Sequence, residues 1–149
     1  MWELTPDTKI LSESKLTWLE LQKGLKGTPM EVLAPTFVCA EKLSKVNALL
    51  LTSVAVLESG WGKSALSKRT KNLFGFQAYD RNPSGAKVFI SYEEGIFFVA
   101  EYIRTRYATA GGAYYKGGTL KAMGSLWASD PQWTQKVCSV AATLRRRAQ

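Results

Sequence analysis

Asn47-Ala48-Leu49-Leu50-Leu51-Thr52-Ser53-Val54-Ala55-Val56-Leu57-Glu58-Ser59-Gly60-Trp61-Gly62 runs from a helix cap to a helix stop. The Asn47 side chain can accept from the unpaired N–H groups of a first helical turn. Leu49, Leu50, Val54 and Leu57 then make a wide apolar face at helical spacing. Residues 46–57 carry no charge. As a helix they span about 18 Å, too short to cross a bilayer. The stretch predicts a buried core helix. It also delivers an acid, Glu58, to that helix's end, four residues after Val54 and beside a tryptophan and two glycines. Helix phase puts this carboxylate on or beside the buried stripe, where desolvation would favour the neutral, proton-donating form. A helix-terminal glutamate that is solvated or paired with Lys63 is the plainer alternative.

Outward from this helix the chain reads as mainly α. Residues 2–25 carry an amphipathic pattern that ends at Gly24 and Gly27. Thr28-Pro29 reads as the start of a helix with Met30, Leu33, Phe37, Ala40 and Leu43 on one side. A further helix follows Ser91, with Ile96, Val99, Ala100, Ile103 and Tyr107 on one face. Shorter ones are expected over residues 119–127 and 130–144, the last with Asp130-Pro131 as cap and first turn. Between residues 72 and 89 the helical period is lost, which predicts irregular chain with one short hairpin. The fold class expected is α+β, mainly α, a single domain over residues 1–149 with a small irregular or β lobe around residues 72–90. Within it, residues 1–26 read as an N-terminal helical extension and 27–144 as the core of the domain.

The length of 149 residues suits one compact domain, and 46% hydrophobic content excludes a disordered basic tail. The chain has no histidine. That removes Ser-His-Asp and Cys-His hydrolysis and His-ligated zinc, and it directs a search for acid–base chemistry to carboxylates. Cys39 and Cys138 form no CxxC motif and read as small buried hydrophobes. No metal site and no cofactor are expected, since only scattered carboxylates could serve as ligands. The N-terminus has neither a basic nor an apolar leader segment, so no secretory signal and no transmembrane segment are expected.

Across residues 42–92 the only carboxylates are Glu58 and Asp80. Asp80, between Tyr79 and Arg81, is either the start of a turn or a second acid facing Glu58 across a groove. Aromatic side chains at helix ends and loops, Trp61, Phe74, Phe76, Tyr79, Tyr114, Tyr115, Trp127 and Trp133, could form stacking platforms for sugar rings. Each taken alone is an ordinary packing residue.

Four segments, in order, resemble the motifs of the bacterial cell-wall endo-β-N-acetylglucosaminidases, glycoside hydrolase family 73. They are Glu58-Ser59-Gly60-Trp61-Gly62-Lys63-Ser64, then Asn72-Leu73-Phe74-Gly75-Phe76-Gln77-Ala78-Tyr79-Asp80, then Gly111-Gly112-Ala113-Tyr114-Tyr115-Lys116-Gly117-Gly118-Thr119-Leu120, and Trp127-Ala128-Ser129-Asp130-Pro131-Gln132-Trp133. The resemblance implies a lysozyme-like fold and cleavage of the β-1,4 bond between N-acetylglucosamine and N-acetylmuramic acid in peptidoglycan. It further implies that Glu58 is the general acid and that Asp80 has a second catalytic or stabilising role. Trp61, Asn72, Phe74, Gly75, Gln77, Tyr79, Tyr115, Trp127 and Trp133 are the implied substrate-binding residues. Two departures stand out. The segment 81–88 holds no carboxylate, so a second acid in a long hairpin cannot be carried over. Trp127 stands where the family commonly has tyrosine, and it has no hydroxyl to offer.

The implied partner is the peptidoglycan glycan strand, with no nucleic acid, and the chain is expected to be a monomer. The alternative is a basic, aromatic-rich module that binds wall polymer or nucleic acid without chemistry, motivated by a net charge of +8 and by Arg145-Arg146-Arg147. An enzyme acting on the cell wall but without a leader reads as a phage endolysin, made in the host cytoplasm.

Overall fold

The computed structural model describes residues 2–76 and 87–149. Among the described residues there are seven α-helices: α1 (Trp18–Gly24), α2 (Ala34–Ser44), α3 (Ala48–Ser59), α4 (Ala65–Thr70), α5 (Tyr92–Ile103), α6 (Leu120–Trp127) and α7 (Trp133–Ala148). A 3-10 turn, Glu31–Leu33, leads into α2, and a π turn, Arg104–Ala108, extends α5. Among the described residues the only β pairing is two isolated antiparallel bridges, Lys9 with Thr119 and Leu11 with Val46. The mainly helical, lysozyme-like class holds, while the expected hairpin lies in residues outside those described.

α3 is the central helix. Residues 48–56 of it are buried without a break, so it is apolar on all sides rather than on one face. It packs on α2 and α7; α1 also packs on α2 and α7, and α5 packs on α2. The Asn47 cap read from sequence is in place, and Ser91 and Thr119 cap two further helices. Asn47 Oδ1 accepts from Leu50 N at 3.0 Å, Ser91 Oγ from Glu94 N at 3.1 Å, and Thr119 Oγ1 from Ala122 N at 3.1 Å. Each satisfies an N–H that the first helical turn leaves unpaired.

Several boundaries differ from the sequence expectation, each for a local reason. Residues 2–25 are helical only from Trp18, where Thr17 and Glu20 form a capping box. Upstream, the backbone pairs with distant chain instead: Leu120 N donates to Thr8 O, Ile10 N to Gly118 O and Asn47 N to Ile10 O. Leu4, Ile10 and Leu16 thereby join the same core as α3. α2 starts at Ala34 rather than at Pro29, with Pro35 in its first turn, because the chain first makes the 3-10 turn. α7 runs Trp133–Ala148 rather than 130–144, since Asp130 spends its side chain on a turn that accepts from Gln132 N at 2.8 Å. The short α4, capped by Ser64, has too little periodic sequence to announce itself. Both cysteines are free, and Cys39 lies exposed on the outer side of α2 rather than buried. Cys138 is half-buried, and burial raises its thiol pKa.

Candidate active site

The end of α3, the segment 74–76, the end of α5 and the α6–α7 junction enclose a groove of about 630 Å³. Glu58, Phe74, Gly75 and Phe76 form one side. Tyr102, Tyr107, Tyr114, Trp127, Asp130 and Trp133 complete it.

Glu58 occupies the last turn of α3, two residues before the left-handed Gly60 that stops the helix (φ 59°). The residue is exposed, which corrects the buried position that helix phase predicts. The reason is that at this turn only the face carrying Glu58 opens onto the groove, while Val56 and Ser59 on the other faces stay buried. Its Oε2 accepts from the Trp133 indole Nε1 at 2.8 Å. Its Oε1 faces Gly75: a Cβ at that position would lie 3.5 Å from it. Having no side chain there leaves this oxygen open. Among the described residues no cation pairs with Glu58, so the expected alternative of a Lys63 ion pair is not seen.

Trp133 is held for this task by close packing. A Cβ on Gly124 of α6 would come within 2.4 Å of Thr134 Oγ1 and 3.0 Å of the Trp133 ring. Only a glycine lets the first turn of α7 approach this closely. The Trp133 ring lies 6.3 Å from that of Trp127, which lies 5.6 Å from Tyr107. Tyr107 is 6.4 Å from Tyr102, and Tyr102 is 4.7 Å from Phe76 in an edge-to-face contact. The groove floor is therefore a continuous row of rings that ends at the Glu58 carboxylate. Tyr107 is nearly fully buried, and burial, together with the Tyr102 and Tyr114 phenols, pushes its pKa up to about 12.

Asn72 is buried and its side chain is fully engaged. Oδ1 accepts from Phe74 N at 3.0 Å and Phe76 N at 3.2 Å; Nδ2 donates to Phe76 O at 2.5 Å and Lys87 O at 3.0 Å. Asn72 thus shapes the groove wall from behind. Phe74 is buried yet contributes to the lining, as does Gly75. Trp61 lies elsewhere: its ring sits under the Arg147 guanidinium, 5.1 Å from centroid to Cζ, and it does not line the groove. Tyr115 is partly exposed and outside the lining. Gln77, Tyr79 and Asp80 fall outside the described residues.

Sequence reasoning passes over Tyr102 and Tyr107 as groove residues, since both sit in the amphipathic helix that follows Ser91. Asp130 reads from sequence only as a cap. It lines the groove, and its carboxyl is held below the ordinary value by a hydrogen bond from Lys136 Nζ at 2.6 Å and by the Gln132 N–H.

Comparison with known proteins shows the family and the fold. Residues 34–146 match the glucosaminidase family, described as mannosyl-glycoprotein endo-beta-N-acetylglucosaminidase. A Streptococcus pneumoniae protein named endo-beta-N-acetylglucosaminidase is 35% identical over 118 residues, 78% of this chain but 18% of its own length. The chain therefore spans about a fifth of that relative. Crystal structures of S. aureus autolysin E superpose with a TM-score of 0.79 at 25% identity, covering 95% of this chain and 71% of that one. A complex of autolysin E with a muropeptide gives 0.80 at 24% identity, covering 98% and 74%.

Proposed function

The chain belongs to the glucosaminidase family, and from that premise we propose that it is a peptidoglycan hydrolase that cleaves the β-1,4 bond between N-acetylglucosamine and N-acetylmuramic acid, with Glu58 as proton donor. The observation that carries this reading is an uncompensated carboxylate at the end of a row of aromatic rings, with one oxygen fixed and the other open.

A glycan strand laid along the part-exposed rings of Phe76, Tyr102 and Trp127, which Tyr107 and Trp133 back from beneath, would stack its sugar faces on them. It would also cover Glu58, and water displaced from a carboxyl group favours its neutral form. With Oε2 accepting from the Trp133 indole, the transferable proton sits on Oε1, the oxygen left open by Gly75. Oε1 gives that proton to the glycosidic oxygen, which leaves with its sugar as a neutral hydroxyl as the C1–O bond breaks, and positive charge develops on the ring that retains C1. The resulting carboxylate keeps its indole hydrogen bond, which is stronger to a charged acceptor. The second half of the reaction has two routes. Asp80 could take a proton from a water that attacks C1, inverting the centre, or the substrate's 2-acetamido oxygen could attack C1 first, with retention overall.

Tyr107, with its pKa pushed to about 12, stays a neutral hydroxyl through the neutral range. It supplies a phenol to the groove although Trp127 does not. The net charge of +8 suits an anionic wall polymer, which such a surface attracts over long range. The same reading extends to an endolysin. Expressed inside a susceptible host, the chain should lyse it once the membrane is permeabilised, and lysis without that step would contradict the role.

The test is release of reducing sugar from purified peptidoglycan. The native chain should release it, and Glu58→Gln, which keeps shape and the indole contact but has no proton to give, should not. Activity retained by Glu58→Gln would sink the assignment.

A further inference from the structure

We propose that Arg147, in the last turn of α7, is a positioning residue for Glu58 and acts through Trp61. The inference rests on Glu58 being the proton donor.

The turn that ends α3 has an unusual backbone. Gly60, Trp61 and Gly62 all lie in the left-handed region, with φ of 59°, 62° and 77°. For the flanking glycines this conformation is ordinary. For a residue as bulky as tryptophan it is a strained state that persists only when its surroundings hold it there. The strained residue serves the helix end: Trp61 N donates to Val56 O at 2.9 Å, closing the turn that contains Glu58. Below it, Ser59 Oγ donates to Ala55 O at 2.6 Å and accepts from Gly62 N at 2.8 Å.

Arg147 supplies what holds the tryptophan. Its Nε donates to Gly24 O at 2.6 Å, and its Nη2 donates to Lys26 O. These carbonyls are at the C-terminal end of α1, where the helix leaves partial negative charge. Pinned there, the guanidinium lies over the Trp61 ring at 5.1 Å. Arg147 therefore couples three elements, α1, α7 and the end of α3. The opposite end of α7 carries Trp133, whose indole holds the Glu58 carboxylate directly. One helix thus grips the Glu58 turn twice, by a hydrogen bond from its first turn and by a cation on a ring from its last.

Within the Arg145-Arg146-Arg147 run, Arg147 is the member that combines these two contacts. A solvated basic tail has no reason to place a guanidinium on two carbonyls and a ring. Lysine cannot reproduce the arrangement, because an ammonium has no planar fork to stack while bonding two acceptors.

The experiment uses the full chain and a soluble, uncrosslinked peptidoglycan glycan, measured well below each variant's thermal midpoint. Arg147→Ala should lower kcat roughly tenfold, the scale of loss expected when a reacting group is slightly misaimed, with KM unchanged within about twofold. Arg147→Lys, the variant safer for folding, should show a smaller kcat loss with the same unchanged KM. Trp61→Ala should also lower kcat, and the Trp61→Ala/Arg147→Ala double variant should be no slower than Trp61→Ala alone, as for two residues acting in series. Unchanged kcat in both Arg147 variants overturns the inference, as does a double variant whose loss is the product of the single losses. Hydrolysis surviving in Glu58→Gln strikes the proton-donor reading instead, so the two failures are told apart.

Discussion

Among the described residues two carboxylates line the groove, at the end of α3 and just before α7, and they are built in opposite ways. Asp130 is saturated: Lys136 Nζ sits 2.6 Å from Oδ2 and Gln132 N donates to Oδ1 at 2.8 Å. Both favour the charged form, and its pKa is lowered accordingly. Glu58 receives one neutral indole N–H and, among the described residues, no cation. A carboxylate clamped by a lysine gives up its charge reluctantly. One touched only by an indole can take up and release a proton without breaking an ion pair. The difference supports the proposed proton transfer at Glu58, while Asp130 shapes the turn into α7.

The sharpest way to break this contrast is to neutralise each acid in turn. Glu58→Gln should cost about 10²–10⁴-fold in peptidoglycan hydrolysis, the usual worth of a general acid. Asp130→Asn, measured in the same assay, should cost less than about tenfold. Equal losses would erase the distinction between the two walls. Trp133→Phe comes next in size. It keeps the ring beside Trp127 but deletes the donor to Glu58, so kcat should fall about tenfold, as for loss of a hydrogen bond to a charged group.

Much of this is legible in the amino-acid sequence. Asn47 and the uncharged run before Glu58 announce the core helix because a cap and an apolar run are local devices, and the apolar stripe after Ser91 announces its helix in the same way. The row of rings is different. Tyr102 and Tyr107 sit within a helix whose stripe reads as core, and only the approach of α6 turns their edges into a groove floor. Helix phase also misleads over Glu58. Periodicity reports which face of a helix is apolar, not where along its axis that face stops being covered, and the Val54 face of α3 opens onto the groove by Glu58 while Ser59 stays buried. The role of Arg147 is hidden for a third reason: its partners, Gly24 and Lys26, lie more than a hundred residues away.

Smaller effects probe the electrostatics. Because the Asp130 pKa is lowered in the folded state, its contribution to stability is present above the ordinary carboxylate value of 3.8 and shrinks as pH falls through that range. The thermal midpoint of Asp130→Asn should therefore lie slightly below that of the native chain at pH 7 and converge with it in acid. Tyr107 runs the other way. Its raised pKa makes a contribution that is complete below pH 10 and is lost as pH rises toward about 12. In alkaline denaturant titrations, Tyr107→Phe should lose less stability across that window than the native chain.

The central claim, that this groove breaks the glycan at N-acetylglucosamine, is tested most directly by mass spectrometry of the muropeptides released from purified peptidoglycan. Fragments carrying a new reducing N-acetylglucosamine are the predicted result. Fragments ending in reducing N-acetylmuramic acid, or intact strands with only their peptides cut, would contradict it.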